Sequence, residues 1–130
     1  MLDASQLIAF AATTDMPRAC QFYEQVLGLT LVEQNDFAGV FDANGTMLRV
    51  TAVPVRAAAG YTVLGWRVAD IDTTIAALAE RGVQFTIYEG MGQSEAGVWT
   101  TPGGDKVAWF TDPDGNVLSL TQFVANEFSG

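Results

Sequence analysis

The 130-residue chain contains no histidine. That removes the commonest general base, the commonest imidazole metal ligand and every Ser-His or Cys-His nucleophile. A borderline cation such as zinc would have to rely on carboxylates, amides and one thiol. That thiol, Cys20, has no partner for an internal disulfide, which agrees with a reducing compartment. It lies in a helical stretch with no basic cluster to lower its pKa, so it reads as packing rather than as a nucleophile. Bases are scarce too: six Lys and Arg stand against fifteen Asp and Glu, a net charge of −9. Such a surface repels nucleic acid and anionic lipid, so neither is expected as a partner. No apolar run is long enough to cross a membrane. The opening "MLDASQLIAF" lacks a basic region followed by a signal-like apolar stretch. A cytoplasmic, acidic protein is expected.

What is present is apolar enough, at 49%, for one globular domain with a real core. "QLIAFAAT", 6–13, reads as a strand. Thr14 or Asp15 can cap a following helix, with Pro17 in its first turn and Gly28 at its end. "LTLVEQ", "AGVFDA" and "TMLRVTAV" read as strands, the last two joined at Asn44-Gly45, a strong hairpin signal. "PVRAAAG", 54–60, reads as a linker. The order then repeats. "YTVLGWRV" is a strand, and Asp70 or Asp72 caps a helix that ends at Gly82. "VQFTIYE", "GVWTT", "DKVAWFT" and "NVLSLTQF" are expected as strands. The last two are joined by Asp112-Pro113-Asp114-Gly115-Asn116, which is nearly pure turn chemistry. The expected fold is therefore α+β, one domain over 1–130, with module 1 at about 1–55 and module 2 at about 61–130.

Three segments, "ATTDMPRACQFYEQVLGLTLV", "LGWRVADIDTTIAALAERGVQF" and "VAWFTDPDGNVLSL", resemble the vicinal oxygen chelate superfamily. That group holds glyoxalases, bleomycin-resistance proteins and extradiol dioxygenases. The resemblance implies two βαβββ modules, with curved, mostly antiparallel sheets around a cleft and helices on the outer face. In metal-dependent members, ligands project into the cleft from the first strand of each module and from later strands. Carried onto this chain, those positions hold Ile8, Val63 and, where the closing hairpin presents a glutamate, Ser119. A two-residue shift of the first strand would bring Gln6 to the position of Ile8. A further carboxylate position falls near Met47 or Arg49. Apolar side chains cannot chelate, so no metal and no cofactor is expected.

Period-2 alternation then assigns the cleft-facing set. It contains Ile8, Phe10 and Ala12; Tyr61, Val63, Gly65 and Arg67; and Val117, Ser119, Thr121 and Phe123. Arg67 is the cation of that set, able to grip an anionic group or pair with an acid. Trp66 falls on the opposite face, in the core. Trp99 and Trp109 lie on neighbouring strands, but the Pro-Gly-Gly turn between them leaves open whether they share a face. "YEGMGQSEAGVW" reads as a loop. The expected ligand site is Ile8, Phe10, Val63, Arg67, Trp99, Trp109, Ser119 and Phe123, with no catalytic residue assigned. The expected function is metal-independent binding of a small organic molecule, apolar, aromatic or cationic, as in antibiotic sequestration. A glyoxalase-like lyase or isomerase, metal-free or built on atypical carboxylates, is the alternative. Apolar sheet faces that need cover, together with the habit of short relatives, imply a homodimer.

Overall fold

The computed structural model describes residues 1–56 and 59–124. It is α+β and divides into two compact units. The first holds Met1–Gly60 together with Asp112–Asn116, and the second holds Tyr61–Thr111 and the chain from Val117. The expected linker, 54–60, lies partly outside the described residues.

In the first unit, β1 (Ile8–Thr13), β2 (Thr30–Gln34), β3 (Ala38–Ala43) and β4 (Thr46–Ala52) form one sheet. Its strand order is β1-β4-β3-β2. β1 runs parallel to β4 and the remaining pairs are antiparallel. Asn44 and Gly45 make the β3–β4 turn with φ of 51° and 93°, the left-handed pair that a tight hairpin requires. Between β1 and β2 lies α1 (Met16–Gln21), capped by the Asp15 carboxylate on the Arg18 N–H. The sequence pattern predicts one α-helix up to Gly28. Instead the chain widens into a π-helical turn, Phe22–Val26, in which the Leu27 N–H reaches the Phe22 carbonyl. Tyr23, in that turn, is fully buried against Phe22 and Phe41. Helix and sheet approach closely at Gly39: a Cβ there would stand 2.6 Å from the Cys20 sulfur.

The Asp-Pro-Asp-Gly-Asn turn belongs to this first unit, and its polar side chains are buried in it. One Asp112 oxygen accepts from the Asp114 and Asn116 N–H groups, shaping the turn itself. The other accepts from the Tyr23 hydroxyl at 2.7 Å and the Asn116 amide at 2.7 Å. Asp114 accepts from the Thr13 hydroxyl at 2.6 Å and from the Thr14 N–H and hydroxyl, with Arg18 at 3.5 Å. Asn116 also donates to the Ala12 carbonyl. Burial alone would push the Asp114 carboxyl up. The Thr13 and Thr14 hydrogen bonds and the Arg18 charge outweigh it and hold the carboxyl below its usual range.

In the second unit, β5 (Thr62–Arg67), β6 (Trp99–Thr100), β7 (Lys106–Thr111) and β8 (Val117–Gln122) form a sheet in the order β5-β8-β7-β6. β5 is parallel to β8 and the other pairs are antiparallel. α2 (Ile71–Glu80) buries Ile71, Ile75 and Leu78 on one face of the sheet. Asp70 caps it through the Thr73 N–H. Gly82, at φ 92°, closes it: Gly82 and Val83 donate back to Ala79 and Leu78.

Two expected strands do not form as written. "VQFTIYE" is irregular and "GVWTT" shrinks to Trp99–Thr100. The reason is Gln93. Its amide accepts from the Tyr88 N–H and donates to the Thr86 and Gly97 carbonyls. Those bonds occupy backbone groups that a continuous strand would offer its neighbour. What remains of the edge is a single Thr86 N–H bond to the Trp109 carbonyl at 2.7 Å.

Candidate functional site

The pairing of the second sheet settles which side chains share its helix-free face. Ser119 stands opposite Trp109 on one side and Gly65 on the other. Thr121 stands between Val107 and Arg67 in the next such row, and Trp99 lies opposite Val107. Trp99 and Trp109 therefore share this face, with ring centroids 6.2 Å apart. Tyr88 meets Trp109 edge-on at 5.5 Å. The Arg67 guanidinium lies over the Phe123 ring, 5.1 Å from its centroid.

The centre of this face is made of very small side chains. Gly65 sits inside β5 with ordinary strand backbone, since it is not among the glycines of positive φ. A glycine there weakens a strand and calls for a spatial reason. At Gly39 the reason is the helix. Gly65 faces away from α2, and a Cβ on it would meet only Ser119, with the hydroxyl at 2.9 Å. Gly65 and Ser119 thus form a low floor beside a wall of Tyr88, Trp99 and Trp109.

Val63 lies at an irregularity of β5: the register passes from Thr62 opposite Val117 directly to Leu64 opposite Leu118. Alternation from Gly65 therefore does not fix its face. Tyr88, by contrast, carries no signal in the sequence pattern. It lies in a segment expected to be a strand of unknown facing, and only the Gln93 loop brings its ring to Trp109.

Ile8 and Phe10 lie in the first unit, on the helix-free face of its sheet, opposite Met47 and Arg49 respectively. Ile8, Phe10 and Met47 are all exposed. Gln6 lies outside β1. Counted from the capping aspartates, Phe10 and Gly65 hold equivalent places. Their partners, Arg49 and Ser119, are therefore equivalents as well. The positions that carry ligands in metal-dependent relatives thus offer aliphatic groups, a thioether, a guanidinium and one hydroxyl. That donor set does not fit a divalent cation. Among the described residues, no three His, Cys, Asp or Glu side chains gather closely enough to hold one.

A second concavity, about 440 Å³, lies beside Trp99 and is lined by Asp72, Gln93, Ser94, Thr100 and Lys106. Gln93 and Ser94 are spent on the loop backbone there. Met91, Val98 and Trp99 supply its apolar lining.

The fold recurs among solved structures. A member of the Glyoxalase/bleomycin resistance protein/dioxygenase superfamily from Sphaerobacter thermophilus DSM 20745 is 27% identical, with a TM-score of 0.73 over 95% of this chain and 100% of that one. TnmS3, an antibiotic binding protein from Streptomyces sp. CB03234, is 27% identical, with a TM-score of 0.70 over 94% and 98%. Lactoylglutathione lyase from Agrobacterium tumefaciens, at 16% identity, has a TM-score of 0.72 over 92% and 95%, a likeness of fold alone. No curated protein matches the sequence significantly. Residues 7–120 match the model of one family, and the chain belongs to it: the Glyoxalase/Bleomycin resistance protein/Dioxygenase superfamily.

Proposed function

We propose that this chain is a metal-independent binding protein for a planar aromatic small molecule, held on the helix-free face of the second sheet. The observation that carries this reading is the Gly65–Ser119 floor beside the Tyr88–Trp109–Trp99 wall. Aromatic walls with a few polar groups suit such ligands. The likeness to TnmS3 supports sequestration of an antibiotic as the biological use. A lyase reading has less support, because its metal positions carry Ile8, Val63 and Ser119. We place the protein in the cytoplasm. No helix among the described residues is long and apolar enough to cross a membrane.

The test is a titration of planar aromatic compounds followed by tryptophan emission. Binding that quenches wild type, and quenches less in Trp99→Phe and Trp109→Phe, supports the reading. Binding that neither tryptophan reports places the ligand elsewhere.

We also propose a homodimer. Ile8, Phe10 and Met47 leave an exposed apolar stripe on the helix-free face of the first sheet, which needs cover. A two-fold interface is the commonest way to supply it. Light scattering at micromolar concentration should give twice 13.9 kDa, and the monomer mass would contradict the assembly.

A further inference from the structure

We infer that the concavity beside Trp99 is a second binding site, independent of the aromatic face, and that it takes a zwitterion: a free α-amino acid with an apolar side chain. The space lies at the edge of the second sheet, where β6 is only two residues long. Its volume of about 440 Å³ falls within the range of small-molecule sites, roughly 300–1,000 Å³. One wall is the loop, and that wall is already fixed. Gln93 bonds the Tyr88 N–H and the Thr86 and Gly97 carbonyls, and Ser94 exchanges two bonds with Val98. A ligand therefore meets a formed wall of Met91 and Val98 and has little to order on binding.

Three polar side chains of the lining remain unspent. Lys106 stands opposite Thr100 on one neighbouring strand and Gln122 on the other. The Gln122 amide accepts from the Ile71 N–H, the first of α2, so Lys106 and Thr100 belong to the helix side. Asp72, in the first turn of α2, brings a carboxylate to the same space. Among the described residues, no side-chain hydrogen bond or contact ion pair holds Asp72, Thr100 or Lys106. The Asp70 carboxyl is held low first by its hydrogen bonds at Thr73 and, to a lesser degree, by the Lys106 charge, which places that ammonium near the first turn of α2. The two charges of the concavity thus have opposite sign and come from different elements. An anion would answer Lys106 and meet Asp72 as a like charge, and a cation would do the reverse. An uncharged apolar molecule would strip water from both and replace none of it. An α-amino acid answers both. Its carboxylate accepts from Lys106 and the Thr100 hydroxyl, its ammonium donates to Asp72, and its side chain lies against Met91, Val98 and Trp99.

The experiment titrates the full chain by calorimetry at low ionic strength, where partly exposed charges are least screened. The probes are L-leucine and two analogues that each lack one charge, 4-methylpentanoate and isoamylamine. None is aromatic, so none is a ligand of the kind proposed for the aromatic face. Leucine should bind about threefold or more tighter than either analogue, the effect of one further partly exposed ion pair. Asp72→Asn should weaken leucine and isoamylamine but not 4-methylpentanoate. Lys106→Met, which keeps the apolar stem, should weaken leucine and 4-methylpentanoate but not isoamylamine. Thermal unfolding of both variants checks that the fold is kept. If leucine gives no binding at millimolar concentration, or binds no tighter than either analogue, the inference is wrong. It is equally wrong if either variant weakens all three probes alike, since that pattern reports a disturbed wall rather than a charge contact. The aromatic-face reading stands under each of these results, because its own test uses planar aromatic compounds.

Discussion

The Tyr23 hydroxyl donates a 2.7 Å hydrogen bond to the carboxylate of Asp112, eighty-nine residues away in the chain. Both residues are buried. The bond explains why an exposed-looking turn sequence carries two aspartates. Asp112 shapes the turn with one oxygen and accepts from Tyr23 and Asn116 with the other, while Asp114 is held by Thr13 and Thr14. The motif is an internal polar core of the first unit. Burial, the Asp112 charge and their hydrogen bond push the Tyr23 hydroxyl far above its usual range.

Tyr23→Phe should therefore destabilise the protein by about 1.5–3 kcal/mol, the worth of a buried hydrogen bond to a charged group. Asp112→Ala should cost more, because it strips the acceptor from Tyr23, Asn116 and two turn N–H groups at once. Urea unfolding with unchanged slope measures both. A Tyr23→Phe midpoint equal to wild type would mean that water replaces the hydroxyl without loss.

Asp114 makes a pH prediction. Its carboxyl is depressed in the folded state. A depressed carboxyl stabilises the fold above the unfolded pKa, and that stabilisation is lost as pH falls through the folded value. The loss should begin near the ordinary aspartate value of about 4 and continue below it. Asp114→Asn should be less stable than wild type at pH 7, and the gap should narrow from pH 5 to pH 3. A gap independent of pH would show that the carboxylate charge contributes nothing.

Local chemistry was legible in the sequence and long-range pairing was not. The Asp15 and Asp70 caps, the Asn44-Gly45 turn and the Gly82 stop follow from rules acting over four or five residues. The reach of Tyr23 to Asp112 and of Thr13 to Asp114 spans most of the chain and has no local signature. The strand expected over 83–89 failed for a similar reason. Its apolar pattern suits an edge strand, but Gln93, several residues on, takes its backbone bonds. Alternation gave the faces of β8 because its pairing with β7 is uninterrupted, and it does not fix Val63, where β5 slips register. Whether Trp99 and Trp109 share a face depended on a turn. Thr101 and Asp105 close it, with the Thr101 N–H bonded to the Asp105 carbonyl, and that closure sets Trp99 opposite Val107.

The two strand glycines should separate stability from binding. At Gly39 an added methyl would press on the Cys20 sulfur at 2.6 Å, with Phe41 and Met16 at 3.3 and 3.4 Å. Those three side chains crowd the site, so Gly39→Ala should cost about 1–3 kcal/mol of stability. Cys20→Ala in the same chain should recover part of it, because the two sites share the strained contact. At Gly65 the methyl would meet only the Ser119 hydroxyl, which can rotate away. The strand also loses less entropy with alanine than with glycine. Gly65→Ala should therefore stay within about 1 kcal/mol of wild type. Gly65→Val keeps a good strand former but raises the floor beside Trp109. It should weaken binding of a planar aromatic compound that quenches the wild-type tryptophans by about tenfold or more, the effect of a steric loss of about 1.4 kcal/mol. Thermal unfolding and tryptophan quenching on the same variants measure the two effects separately. If Gly65→Val binds as tightly as wild type, the space above Gly65 is not where the aromatic ligand lies.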